Sequence, residues 1–259
     1  MDLGIKGRTA LVFGGSKGMG YAAARQLALE GVQVTIAART EATLISAAAS
    51  LLAETGTAVN WVAADITKPA GRASALTACP APDILVNNAD GYPPGDFRDW
   101  DAAQWHEALD MMMVAPIEMI RSVVDGMQER QFGRIINIVS RSVKAPHAEL
   151  GLSNGARSGL VGFVGGLARQ TVRNNVTINN VLPGAFDTDA QAKHINKLVA
   201  TTGKSYDEIR KVREAANPAG RFGKAHEIGA LIAYLASDLA GYITAQSWLI
   251  DGGEYPGTY

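Results

Sequence analysis

An apolar run, Ala10-Leu11-Val12-Phe13, breaks off into Gly14-Gly15-Ser16-Lys17-Gly18-Met19-Gly20, and an alanine-rich stretch follows at once. No other feature restricts the fold so much. A short apolar run bounded by glycine reads as a buried strand, and the alanine-rich stretch as a helix. The glycines let the chain turn at φ > 0 and let backbone approach backbone, or a ligand, without a Cβ in the way. A strand, a tight turn and a helix in that order commit the next strand to lie parallel to the first. The helix is the crossover that carries the chain back over the sheet.

The rest of the sequence repeats that grammar. Strands are expected at 9–13, 33–37, 58–63, 83–87, 134–139, 176–181 and 247–250. Helices are expected at 18–30, 41–54, 154–173 and 226–237, with one long helical stretch, 100–129, disturbed near Pro116. The crossover at 68–82 is short and broken by Pro69, Gly71 and Pro80, so any helix there is small. Strands that are apolar on both faces and alternate with helices predict an α/β protein, a single doubly wound parallel sheet with helices on both faces. No linker separates two cores and no long repeat is present, so residues 1–259 read as one domain. The polar segment 188–217 is left over between the sixth strand and Gly220-Arg221.

Charge and cysteine content exclude several classes of function. There are 24 Lys and Arg against 25 Asp and Glu, a formal charge of −1, with no basic surplus for nucleic acid. One cysteine, Cys79, excludes an internal disulfide and any multi-cysteine metal site, and no metal ligand set is expected. No apolar run reaches the ~18 residues that a membrane span needs. Residues 1–8 carry no signal-peptide core, so a soluble, cytoplasmic protein is the expectation.

The glycine loop opens a helix whose free N–H groups and positive dipole end would face an anion. Gly14, Gly18 and Gly20, with Ser16, Lys17 and Met19 between them, therefore form a candidate pyrophosphate cradle. The end of the second strand decides which dinucleotide fits. An acid there would bind a ribose 2′-hydroxyl, but Ala37-Ala38-Arg39-Thr40 has none. Arg39, helped by Lys17, suits a 2′-phosphate, which points to NADP(H).

Further motifs extend the pattern: Asp65-Ile66 after the third strand, Asn87-Asn88-Ala89 after the fourth, Pro183-Gly184 after the sixth. Gly220-Arg221-Phe222-Gly223, Tyr234-Leu235-Ala236-Ser237-Asp238 and Asp251-Gly252-Gly253 complete it. In this order and spacing the chain resembles the short-chain dehydrogenase/reductase family, in its β-ketoacyl-acyl-carrier-protein reductase-like branch. The resemblance implies a Rossmann-type fold and a small carbonyl or alcohol substrate. It also implies a homo-oligomer, dimer or tetramer, packed partly through the glycine-rich face of 158–168. By resemblance Asp65 and Ile66 meet the adenine, Asn88 and Ala89 line the adenosine side, and Pro183, Gly184 and Thr188 hold the nicotinamide end. Segment 188–217 becomes a substrate lid. Two departures stand out: Phe13 where the family usually has Thr, and Asp90 where it has Gly after Asn-Asn-Ala.

The family's catalytic set is Asn, Ser, Tyr and Lys. Ser140 matches the serine. Thirteen residues on, the Tyr position is Ser153, and four further the Lys position is Arg157. The Asn position is Met112. A phenol titrates near 10 and can be drawn toward working pH, whereas a serine hydroxyl is a far weaker acid and a guanidinium does not release its proton. Ser153 and Arg157, sharing a helix face at i and i+4, can still bind an oxyanion. Three readings stay open. The first is an NADP(H)-dependent carbonyl reductase with a substitute acid, His147 or Tyr92. The second is a non-redox lyase or isomerase using Arg157. Halohydrin dehalogenases resemble the family and carry that arginine, but they keep the Tyr and lack the glycine loop. The third is an NADP(H)-binding protein with little catalysis.

Overall fold

A computed structural model describes residues 1–258. Seven strands form one sheet: β1 (Thr9–Phe13), β2 (Gln33–Ala38), β3 (Asn60–Ala63), β4 (Ile84–Asn88), β5 (Gly133–Ile138), β6 (Val176–Pro183) and β7 (Ser247–Ile250). Their order is β3-β2-β1-β4-β5-β6-β7, and every pairing is parallel. The chain winds outward from β1 to β3, then returns to the other side of β1 with β4. Strand order thus reverses between β1 and β4, and a crevice opens there at the carboxyl ends of the strands.

Nine α-helices are described: α1 (Gly18–Leu29), α2 (Glu41–Thr55), α3 (Pro69–Ala78), α4 (Ala102–Leu109), α5 (Ala115–Glu129), α6 (Gly151–Thr171), α7 (Asp189–Thr202), α8 (Tyr206–Ala215) and α9 (Ala225–Ala236). The two sides of the sheet carry separate cores. Alternate residues of the strands, such as Val12, Ile36 and Val86, pack with Leu27, Leu44 and Ile232 of α1, α2 and α9. Their neighbours Leu11, Leu85 and Ile135 pack with Ala75, Met119 and Leu160 of α3, α5 and α6. This is the expected period-two division of each strand between two apolar layers.

The expected helical stretch 100–129 is divided. Asp101 caps α4: its carboxylate accepts from Gln104 N at 2.9 Å, and Gln104 Oε1 accepts from Asp101 N at 3.0 Å, so the helix starts at Ala102. A single π-helical turn, Asp110–Val114, then precedes α5. Pro116 has no N–H and sits in the first turn of α5, where none is needed. The extra residue of the π turn absorbs the break, with Ala115 N bonded to Asp110 O. The disturbance therefore lies just ahead of Pro116. α6 begins at Gly151, earlier than the expected 154, which puts Ser153 in its first turn. Gly151 and Gly155 read as helix breakers, but there a Cβ would press on Trp100 and Trp105, so the small residues are set by packing.

The candidate active site

The glycine loop joins β1 to α1. Gly14 and Gly18 have φ of +63° and +58°, in the left-handed region where a side chain is strained. Gly20 is tighter still, since a Cβ there would collide with the Gly14 carbonyl oxygen and crowd Asn88. The turn is pinned by Gly14 N, which donates to Ala37 O at 2.8 Å. No acidic residue occupies the first turn of α1 and no side chain caps it. The open N-terminus beside Ser16, Lys17 and Met19 is therefore a place for an anion. Thr188, the N-cap of α7, brings its methyl to 3.9 Å from the position a Gly18 Cβ would take, so the polar segment begins against the loop.

The other expected cofactor residues line the same edge of the sheet. Arg39 follows β2 and is 2.7 Å from the Asp90 carboxylate, which lies beyond β4. Asp65 follows β3. Partial burial pushes its carboxyl up, but hydrogen bonds from the Thr67 hydroxyl and N–H outweigh this and hold it below the usual range. Ile66 packs on the α3 side of the sheet. Asn88 crowds both Gly14 and Gly20. Pro183 is buried at the end of β6, and Gly184 N donates to Ile250 O at 3.0 Å, closing the edge against β7.

At the positions that align with the family's catalytic set, Arg157 is buried and accounts for most of its own donors. Its Nε donates to Ser153 Oγ at 3.1 Å. Nη1 donates to the carbonyls of Val139 at 2.7 Å and Ile138 at 3.2 Å, and Nη2 to Ala89 O at 3.4 Å. Four of the five N–H groups are thus used, three on backbone at the ends of β4 and β5. Burial lowers the guanidinium to about 10, with Asp90 pulling the other way, so it stays a cation at neutral pH. Ser140 Oγ accepts from Ser142 N at 3.1 Å. Each serine oxygen accepts an N–H, so each hydroxyl proton can be given to a third group. Met112, in the π turn, is buried among Ala108, Leu152 and Ala156, an apolar plug at the position that aligns with the family's Asn.

The two substitute acids are engaged elsewhere. The Tyr92 hydroxyl donates to Glu107 at 3.1 Å. Desolvation first, and then the Glu107 carboxylate, push its pKa up, away from a proton donor's range. His147 presents Nε2 to Arg141 Nη2 at 2.9 Å. A guanidinium only donates, so that nitrogen accepts.

Two features escaped the sequence reading. Asn87, Asn137, Asn180 and Ser247 stand opposite one another on β4, β5, β6 and β7. Their side chains form a chain: Asn87 to Asn137 at 2.9 Å, Asn137 to Asn180 at 3.1 Å, Asn180 to Ser247 at 3.4 Å. The signal was asparagine inside otherwise apolar strands, Asn87-Asn88, Asn137 and Asn179-Asn180, though the register that joins them needs the fold. A polar cluster also joins the residues that follow Ser140 and Ser153 in the chain. Arg141 pairs with Glu254 at 2.9 Å and meets His147, whose carbonyl accepts from Asn154 at 2.8 Å. On the α7 and α8 side, Arg213 meets His194 at 3.0 Å.

Comparison with known proteins agrees with this geometry. The family profile described as Enoyl-(Acyl carrier protein) reductase matches residues 14–254. The chain belongs to the short-chain dehydrogenase/reductase family. It is 32% identical to the 3-oxoacyl-[acyl-carrier-protein] reductase FabG of Vibrio cholerae, over 98% of this chain and 99% of that one. Among solved structures, L-sorbose reductase from Gluconobacter frateurii, complexed with NADPH and L-sorbose, superposes with a TM-score of 0.94 at 27% identity, covering 99% and 100% of the two chains. YwfH, an NADPH dependent reductase involved in bacilysin biosynthesis, gives 0.89 at 30% identity over 97% and 100%. No helix among the described residues of this short-chain dehydrogenase/reductase is long and apolar enough to cross a membrane.

Proposed function

We propose that this chain is an NADP(H)-dependent reductase that interconverts a small polar carbonyl compound and its alcohol. The fit of the cofactor rests on the Gly14–Gly20 contact that no side chain could share, the uncapped start of α1 and the cation at Arg39. The glycine loop and Ser16 hold the pyrophosphate. Arg39 and Lys17 hold the 2′-phosphate. Asp65, Ile66, Asn88 and Ala89 enclose the adenosine, and Pro183, Gly184 and Thr188 the nicotinamide end. When bound, the cofactor supplies the hydride.

The observation that carries the chemistry is the Arg157 Nε donating to Ser153 Oγ. The buried cation makes the Ser153 proton a stronger hydrogen-bond donor without taking it. Ser140 offers a second hydroxyl proton from the end of β5. Together they stabilise negative charge on the substrate oxygen, as preorganised donors do, in place of a phenol acid. The Ser153 hydroxyl would give its proton to the substrate oxygen and regain one from solvent, so that carbonyl, the hydride the cofactor would supply and one solvent proton sum to alcohol. Segment 188–217 acts as lid. Two polar clusters, Arg141 with His147 and Asn154, and Arg213 with His194, favour hydroxylated or acidic substrates over apolar ketones. The chain acts in a homo-oligomer: Gly162 and Gly166 on α6 have open space before them, and Phe163 between them is exposed.

The test is NADPH oxidation, followed by absorbance, over a panel of hydroxyketones, keto acids and cyclic ketones. Turnover is expected with polar members and a loss of at least 100-fold for Ser153→Ala. A second reading, cofactor binding with little catalysis, draws on the backbone role of Arg157, whose guanidinium is nearly consumed by carbonyls. NADPH binding without turnover on any member would favour it.

A further inference from the structure

We propose that Asp90 is a specificity-setting residue that occupies Arg39 until a 2′-phosphate displaces it, and so tempers the preference for the phosphorylated dinucleotide. The inference rests on the reading that Arg39 meets that phosphate. Arg39 and Asp90 extend from β2 and from the segment after β4, the two strands that flank β1. Their 2.7 Å ion pair therefore spans the crevice in front of the glycine loop. The backbone on both sides is anchored: Ala38 O accepts from Ala64 N at 2.8 Å, and Ala89 O accepts from Arg157 Nη2 at 3.4 Å. Both side chains are more than 60% exposed (65% and 61%), so charge rather than packing brings them together.

A guanidinium takes a carboxylate or a phosphate through the same planar fork, so the two anions compete for one face. The other charged groups nearby do not resolve that competition. Asp65 attracts Arg39, and its Oδ1 is taken by the Thr67 N–H and hydroxyl. Arg157 attracts Asp90 from the other side of the crevice. An exposed ion pair shifts an equilibrium by roughly 1.5- to 5-fold. A phosphate carrying up to two charges displaces the carboxylate, yet its binding is reduced by that factor. NADH makes no demand on Arg39 and is not penalised.

The experiment is calorimetric titration of NADPH and NADH into wild type, Asp90→Asn, Arg39→Ala and the double variant. Asp90→Asn is expected to tighten NADPH two- to fivefold and to leave NADH within a factor of 1.5. In the Arg39→Ala background the same change is expected to move NADPH by less than a factor of 1.5. Asp90→Asn that weakens or does not alter NADPH binding would overturn the proposal, because Asp90 would then be orienting Arg39 or doing nothing. Equal tightening with and without Arg39 would also overturn it, since the carboxylate would be acting on the phosphate directly. If Arg39→Ala leaves NADPH affinity unchanged, the 2′-phosphate assignment itself fails, and this proposal with it.

Discussion

At the scale of single residues, buried arginines join parts of the sheet that side-chain packing does not. Arg157 ties α6 to the carboxyl ends of β4 and β5, where the crevice lies. Arg134 does the same at the opposite end of β5, donating to Ser237 O at 3.0 Å and Asn175 O at 2.8 Å with its guanidinium 4.4 Å from the Phe132 ring centre. Arg157→Ala strands three carbonyls and is expected to cost about 3 kcal/mol in urea unfolding. Arg157→Lys, with fewer donors, should recover only part of that. Glu227 makes a different kind of contact. Arg221 first, and then the Lys224 N–H, hold its carboxyl down to about 2. Its folded pKa lies below the unfolded value near 4.3. This stabilisation is therefore complete above about pH 5 and is lost as pH falls toward 2. Glu227→Gln should flatten the acid limb of a melting-temperature profile between those pH values and lower Tm modestly at neutral pH. Ser140, Ser153 and Arg157 were picked out by resemblance to the family's catalytic positions, and Arg39 by its place at the end of the second strand. Their bonds were not, since a guanidinium's partners come from three separate strands and loops.

At the scale of elements, the π turn and the amide ladder carry the local physics. The extra residue at Asp110–Val114 turns Met112 into an apolar layer with Ala108, Leu152 and Ala156. Restoring an amide there by Met112→Asn would bury a polar group among apolar neighbours. It is expected to cost about 1–3 kcal/mol without raising NADPH turnover. A gain in turnover would mean that an amide still finds a water relay at that position. The ladder makes a parallel case. Asn137 receives from Asn87 and donates to Asn180, so Asn137→Leu leaves a donor on one side and an acceptor on the other unpaired. A loss of about 2–4 kcal/mol is expected from chemical denaturation. Strands and helices were read from apolar periodicity to within a few residues for most elements. The start of α6 was missed because helix–aromatic packing overrides simple propensity, whereas the disturbance expected near Pro116 falls a few residues earlier, at the π turn.

At the scale of the whole molecule, the strand order places the expected cofactor residues along one edge of the sheet. Gly14, Arg39, Asp65, Asn88, Ser140 and Gly184 come from six segments of the chain, and each lies at or just past the carboxyl end of a strand. The order that brings them together was readable from the alternation of strands and helices. The polar cluster was not, because Arg141 and Glu254 are far apart in sequence and meet only in the fold. Assembly is tested by analytical ultracentrifugation: a dimer or tetramer is expected, and Phe163→Asp should shift it toward monomer. The most direct test of the account is calorimetric titration of the wild-type chain with NADPH and NADH in parallel. Saturable NADPH binding in the micromolar range, at least tenfold tighter than NADH, is the expected result. Tighter binding of NADH, or binding of neither nucleotide, would contradict it.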